Sequence, residues 1–182
     1  KSDNSFPVKS IEFCLSNCKI TKEDIEFIAI GWDPYSEILR KIIFVFRSLN
    51  LRLFFRKIYF VLLTNLRIIK YKKKLKKKFI NSKIFFLNHH LCHAASSYFF
   101  SNYEESHILT LDGRGDWSTG SISIGENSKI KIKKETFWPN SIGIVYTAFT
   151  HYLGFNFEDE YKVMGLAPYG KPIYEEEISK IF

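Results

Sequence analysis

Methionine occurs once, at position 164, and the first residue is Lys1. The native start is therefore expected to lie upstream or to have been removed. The last stretch, 175–182, reads as an unfinished helix, so the chain is expected to be a fragment. Cysteine is scarce: Cys14, Cys18 and Cys92 make neither a disulfide framework nor a CxxC pair. A reducing, cytoplasmic setting is the simplest context, with Cys14 and Cys18 on one helix face as core thiols. No cleavable signal peptide is visible, and no internal repeat. Acidic residues are absent from 38–83, where fifteen Lys or Arg stand. Of the net charge of +8, the rest of the chain thus carries −7, and the basicity is local. Lys outnumbers Arg beside abundant Ile, Phe and Asn, a bias that an AT-rich genome produces without function, which weakens a nucleic-acid reading. The apolar stretch 38–69 is interrupted by basic residues too often for a clean membrane span of about 20 residues.

What is present suits one folded domain. The 182 residues are 46% hydrophobic and 17% aromatic, the composition of a packed core rather than of disorder. Apolar spacing through Val8, Ile11, Leu15 and Cys18 predicts a helix over 6–18. Thr21 opens Thr-Lys-Glu-Asp, a helix-cap signal, and 25–30 reads as a short strand ended by Gly31-Trp32-Asp33-Pro34. Residues 38–69 are amphipathic, and 71–79 read as a solvated helix end or loop. A strand over 84–87 precedes a helix over 89–100. Strands over 107–111, 119–124 and 129–133, with short turns, predict an antiparallel meander. Ser141 then caps a helix with Ile142, Val145, Phe149 and Tyr152 inward, ended by Gly154. Residues 158–171 read as a Gly/Pro-punctuated loop. Strands mixed with helices argue an α/β domain of the ribonuclease-H-like kind.

His89 and His93 stand four apart, on one face of a helix, where two imidazoles can grip one metal ion. Imidazoles suit Fe, Zn, Ni or Mn, and two are too few, so further ligands must come from elsewhere. The competing reading has both histidines capping carbonyls or packing under a loop. His90 points away from the pair and could contact substrate or act as a base. Cys92 is expected to be packed rather than ligating. Asp112 ends an apolar strand, where a carboxylate needs a metal, a cation or several N–H donors to stay charged. Gly113 and Gly115 allow positive φ and close backbone approach to a phosphate, although a tight hairpin turn uses the same residues. Asp116 is expected to be an exposed turn residue. Within Glu158-Asp159-Glu160-Tyr161-Lys162, Lys162 could pair with a phosphate, and Gly165 could lie under a nucleotide. The alternative is an Asp/Glu–Lys surface pair before a packed turn. Residues 38–83 could bind anionic lipid or nucleic acid, but a solvated insertion with a core-facing apolar stripe is favoured.

Taken in series, these residues resemble the O-carbamoyltransferases of nodulation-factor and antibiotic biosynthesis. His89-His90-Leu91-Cys92-His93-Ala94-Ala95-Ser96 is similar to that family's His-His-x-x-His-Ala-Ala-Ser signature. Leu109-Thr110-Leu111-Asp112-Gly113-x-Gly115 resembles its Asp-Gly strand end, and residues 160–170 (Glu-Tyr-Lys-Val-Met-Gly-Leu-Ala-Pro-Tyr-Gly) resemble its most recognisable loop. Phe6-Pro7, Ser10-Ile11, Cys14-Leu15 and Asp24-Ile25 match its early helix and strand. The motifs keep the family's order and cover most of the chain outside 34–78, and residues 38–78 are more basic and apolar than the resemblance leads one to expect.

The resemblance implies a ribonuclease-H-like, actin-like (ASKHA) fold, related to the tRNA threonylcarbamoyl-transfer enzymes and incomplete here. Residues 1–182 would be a partial N-terminal domain with a basic, apolar insertion at about 38–83. In full-length relatives a C-terminal YrdC-like domain makes carbamoyl adenylate from carbamoyl phosphate and ATP, and the actin-like domain passes the carbamoyl group to a hydroxyl of a small molecule or sugar. Carried over by position, His89 and His93 would be metal ligands, with Asp112 as another, and the divalent metal would be Fe(II). Lys162 and Gly165 would lie near the nucleotide, with Glu160 in the same loop. Of the local groups, His90 is the one that could serve as base for the hydroxyl. The family's opening strand with its early histidine, a later acidic metal ligand and the second domain are not in this stretch. Rival readings are a tRNA-modifying or sugar-kinase-like ATPase on the same fold, and a non-catalytic anionic-surface module built on 38–83.

Overall fold

A computed structural model describes residues 6–47 and 50–180. The chain is mixed α/β, with a two-stranded parallel sheet and a three-stranded antiparallel one. Helix α1 (Val8–Cys18) leads to β1 (Phe27–Ile30). Helices α2 (Ile38–Phe46) and α3 (Leu51–Lys78) follow, then β2 (Lys83–Phe86), which pairs in parallel with β1 from Phe27↔Lys83 to Ile30↔Phe86. Helix α4 (His89–Tyr98) joins this pair to the meander β3 (Glu105–Gly115), β4 (Ser118–Glu126) and β5 (Lys129–Phe137). Helices α5 (Ile142–Tyr152), α6 (Glu160–Leu166) and α7 (Glu175–Ser179) complete the order, with a 3-10 turn at Ala167–Tyr169. The expected terminal helix is thus present as α7, and its last two residues, 181 and 182, lie outside the described residues, as do 48 and 49 in the basic segment.

The core is small. Ala94 and Tyr98 of α4 bury against Ile108 of β3, with Ile130 of β5 at the edge. Tyr98 fits because Gly125 has no side chain: a Cβ there would clash with the ring. The rest of the covered sheet face is lined by hydroxyls. Thr110, Ser121 and Ser123 are buried, and Thr110 Oγ1 lies 2.8 Å from Ser121 Oγ. The aliphatic residues of the same strands, Leu109, Leu111 and Ile122, are exposed on the other face.

Several expectations need correction. The Thr21 signal makes a turn and not a helix start: Asp24 accepts from Thr21 N (2.7 Å) and Oγ1 (2.8 Å). Cys14 and Cys18 are exposed rather than core thiols. Strand β3 continues through Gly115, with a register irregularity after Leu111. Helix α5 is capped by Ser141, whose Oγ accepts from Ile144 N (3.1 Å), but its face is not the expected one. Ile142, Phe149 and Tyr152 are exposed, while Val145 turns inward as expected, together with Gly143, Thr147 and Thr150. The close approach decides this: a Cβ at 143 would lie 2.6 Å from Gly113 N, so only the small-residue face can meet β3. The expected 158–171 loop contains α6, whose residues 160–166 reach helical geometry before Pro168. Among the described residues no helix is long and apolar enough to cross a membrane.

Candidate metal centre

Helix α4 begins where the chain leaves the parallel pair. Asn88 caps it, its side-chain oxygen accepting from Leu91 N at 2.8 Å. One turn of helix then carries His89 and His93 on the same face, with ring centroids 4.6 Å apart. The irregular end of β3 brings Asp112 beside them. His89 Nε2 lies 2.9 Å from Asp112 Oδ2 and 3.0 Å from His93 Nε2, and His93 Nε2 lies 3.7 Å from the same oxygen. One ligand atom from each of the three falls within 4.8 Å of the others. The structure therefore brings together the three residues that the sequence singled out as metal ligands.

The hydrogen bonds around the trio define its chemistry. His89 Nδ1 donates to the Gly31 carbonyl at 2.8 Å. A carbonyl only accepts, so Nδ1 holds the proton, and in the neutral ring Nε2 is a bare lone pair. That lone pair points at a carboxylate oxygen and at a second imidazole nitrogen. A single proton can relieve one of these encounters, whereas a cation relieves both. A backbone carbonyl orienting an imidazole in this way is the common outer-shell pattern of metal-bound histidine. The spacing fits as well. Ligand atoms about 2.1 Å from one ion lie about 3.0 Å apart in octahedral and about 3.4 Å apart in tetrahedral geometry. Two nitrogens and one oxygen accommodate several divalent metals and leave coordination positions open. Burial acts to raise the Asp112 pKa, but the Gly113 N–H and, when they are protonated, His89 and His93 outweigh it and hold the carboxyl below the usual carboxylate range.

His90 faces the other way. It is fully buried, with Nδ1 2.7 Å from Thr110 Oγ1, and Nε2 has no hydrogen-bond partner among the described residues. Burial lowers its pKa, opposed by the Ser118 backbone. Cys92 is half-buried against Gly31 and stands apart from the trio, and burial pushes its thiol pKa up.

The glycines act differently from what their spacing suggested. Neither Gly113 nor Gly115 uses positive φ. Gly115 instead leaves room for the His89 ring, which a Cβ at 115 would overlap. Gly113 donates its N–H to Asp112 Oδ1 at 2.6 Å, and its carbonyl accepts from Ser141 Oγ at 2.8 Å. Glu160, Lys162 and Gly165 are not joined to the trio by any hydrogen bond or ion pair among the described residues. Glu160 accepts from Thr147 Oγ1 at 2.7 Å, Lys162 pairs with Asp159 at 2.9 Å, and Gly165 is exposed.

Asp116 is the residue that sequence reasoning missed. It is buried, not exposed, and has φ of 57°, a left-handed conformation that Asp tolerates better than most residues. Its carboxylate accepts from Asp33 N at 2.6 Å and from His89 N at 2.9 Å, tying the end of β1 to the start of α4. Burial raises its pKa against those two N–H donors. Lys41 of α2 is buried nearby and donates to the Pro34 carbonyl at 3.1 Å. Burial lowers its pKa, and the Asp116 charge opposes that. The available signal was the repetition in Asp-Gly-Arg-Gly-Asp, with two carboxylates flanking one irregular strand end.

A family model described as carbamoyltransferase N-terminus matches residues 1–182. An uncharacterised protein of Synechocystis is 34% identical over 187 residues, covering 98% of this chain and 30% of the relative. Nodulation protein NolNO of Sinorhizobium fredii is 32% identical over 188 residues, covering 100% of this chain and 26% of the relative. Nodulation protein NolO of Bradyrhizobium diazoefficiens is 42% identical over 86 residues, covering 47% of this chain and 16% of the relative. The chain thus spans less than a third of the length of these relatives.

Proposed function

The chain belongs to the carbamoyltransferase N-terminal family, and from that premise we propose that it is part of an ATP-dependent O-carbamoyltransferase. The donor would be carbamoyl phosphate, activated as carbamoyl adenylate, and the acceptor a hydroxyl of a small molecule or sugar. On this reading the meander with α4 and α5 is a portion of an actin-like domain, and a YrdC-like domain elsewhere in the protein forms the adenylate. The observation that carries the proposal is the convergence of His89 Nε2, His93 Nε2 and Asp112 Oδ2 as three lone-pair donors. A divalent metal held there, Fe(II) by family expectation, would polarise the carbamoyl carbonyl and neutralise phosphate oxygens.

The chain's own residues set up that site. The Gly31 carbonyl fixes the His89 tautomer, and Asp116 holds the His89 backbone in place. The exposed side of His93 leaves the cluster open to a substrate. In the transfer, the acceptor oxygen forms a bond to the carbamoyl carbon, the bond to the adenylate oxygen breaks, AMP leaves, and the hydroxyl proton is released. Because the adenylate is a good leaving group, positioning supplies much of the remaining acceleration. We reassign His90. A base must lie within hydrogen-bond reach of the proton it takes, and His90 is sealed beneath the pair, so it acts as a positioning residue on Thr110. Lys162, Glu160 and Gly165 are proposed to meet the nucleotide once Lys162 is released from Asp159.

The test uses the full-length protein with His89→Ala and His93→Ala. The expected result is loss of bound divalent metal and a fall in carbamoyl transfer of at least about 100-fold. Full metal content and full rate in both variants would refute the assignment. ATP turnover indifferent to carbamoyl phosphate would instead favour a different ATPase on the same fold.

A further inference from the structure

Helix α3 is 28 residues long, about 40 Å at 1.5 Å per residue. Its inner side, including Phe54, Lys57, Ile58, Val61, Ile68 and Leu75, is half-buried. The favoured reading from sequence made the apolar content of this segment a core-facing stripe. The structure shows a second one. Leu51, Phe55, Tyr59, Leu62 and Leu66 follow helical spacing along the outward side, and each is more than half exposed. The same line continues through Lys70, Lys73 and Lys77. Positions 51 and 62, 55 and 66, 59 and 70, 62 and 73, and 66 and 77 are each 11 apart, so the stripe runs nearly straight along the axis.

The lysines divide by direction. Lys72 lies over the Phe86 ring at 4.8 Å, Lys76 donates to the Ile80 and Ser82 carbonyls at 3.3 Å, and Lys78 pairs with Glu12 at 3.5 Å. These serve the fold. Lys70, Lys73 and Lys77, with Arg52, Arg56 and Arg67, have no acidic or carbonyl partner among the described residues. A second copy of the segment offers no carboxylate to meet them, because 38–83 contains none. A nucleic acid would satisfy the charges but leave the leucines in water.

We propose that the outward face of α3 docks on an anionic lipid surface, lying in the interface and not crossing it. The apolar half would enter the headgroup boundary, with Tyr59 at the level where amphipathic rings settle, and the lysine half would pair with lipid phosphate or carboxylate. The basic interruptions that deny a span are what an interfacial helix uses. This inference is independent of the transfer chemistry.

The test is co-sedimentation of the full-length protein with phosphatidylcholine vesicles, and with vesicles containing about 30% phosphatidylserine, at 0.15 M and 1 M salt. Binding is expected to the anionic vesicles, at least about tenfold above the zwitterionic ones, and to weaken at high salt. The Lys70→Glu, Lys73→Glu, Lys77→Glu variant is expected to lose binding at least on the order of 100-fold, the figure for loss of the three lysines alone at about 1 kcal/mol each and about tenfold per 1.4 kcal/mol, with the added carboxylates weakening it further. Leu62→Asp with Leu66→Asp is expected to lose at least about tenfold at unchanged far-ultraviolet circular dichroism and metal content. Equal binding to both vesicle types, no binding, variants that bind like the parent, or a self-association that these substitutions abolish in the absence of lipid would each overturn the proposal.

Discussion

The His89 ring occupies the space that a side chain at Gly115 would fill, since a Cβ built there would overlap Cδ2 and Cγ of the imidazole. The strand end and the helix start are thereby locked face to face, and the ligand geometry depends on an absent methyl. Gly115→Ala is expected to displace the ring and lower divalent-metal affinity at least about tenfold, with an overpacking cost of about 1–3 kcal/mol in stability. Gly113→Ala is the control, because its Cβ would meet Ile144 Cδ1 at an ordinary 3.8 Å. Isothermal titration with Zn2+ compares the two, and an unchanged affinity in Gly115→Ala would contradict the packing argument.

Asp116 restrains the pair from behind. Asn at this position offers one acceptor where two backbone N–H groups need one each. Asp116→Asn is expected to cost about 1–3 kcal/mol in chemical denaturation and to weaken metal binding together with it. Stability lost with metal affinity intact would show that Asp116 supports the fold but not the position of His89.

Arg114 couples the basic segment to the site. Its guanidinium lies 4.6 Å from the Phe60 ring of α3, 5.8 Å from Trp117 and 5.9 Å from Trp138. A double-mutant cycle with Arg114→Met and Phe60→Leu should return a coupling of about 0.5–2 kcal/mol. Zero coupling would mean that α3 packs there without bracing the Asp112 strand.

Lys162 and Asp159 shift each other in opposite directions. The hydrogen bond from Lys162 holds the Asp159 carboxyl below its ordinary 3.8 and raises the Lys162 ammonium above 10.5. The carboxylate's contribution is therefore present above about pH 3.8 and lost as pH falls through the depressed value. The ammonium's contribution is present below about pH 10.5 and lost as pH rises beyond it. Carboxyl titration by NMR should place Asp159 below 3.8, and Lys162→Met should return it toward that value. Saturating ATP should do the same if Lys162 is drawn to phosphate; an Asp159 midpoint unmoved by nucleotide would remove Lys162 from the proposed nucleotide site.

Some of this was legible in one dimension because the rules involved are local. Four-residue spacing places His89 and His93 on one helical face whatever surrounds them, whereas the apolar run before Asp-Gly marked a strand there but not its continuation to Gly115. Alternation and turn residues made β3, β4 and β5 readable as a meander, and Ser141 announced α5 through a cap that needs only its own helix. The face that α5 buries was not readable, because its apolar residues outnumber the small ones and only the approach of Gly143 to Gly113 chooses between them. Cys14 and Cys18 misled for the same reason: residue type indicates preference for burial, and neighbours decide whether it happens.

Spacing and side-chain chemistry alone thus marked His89, His93 and Asp112 as candidate metal ligands. Only the tertiary structure decided that Gly31 orients one ring, that Gly115 makes room for it, that Asp116 is buried behind it, and that α3 turns a second apolar stripe outward. These depend on contacts between residues up to 83 positions apart, and a hydrogen bond or a steric exclusion across that separation exists only once the chain has closed the loop between them.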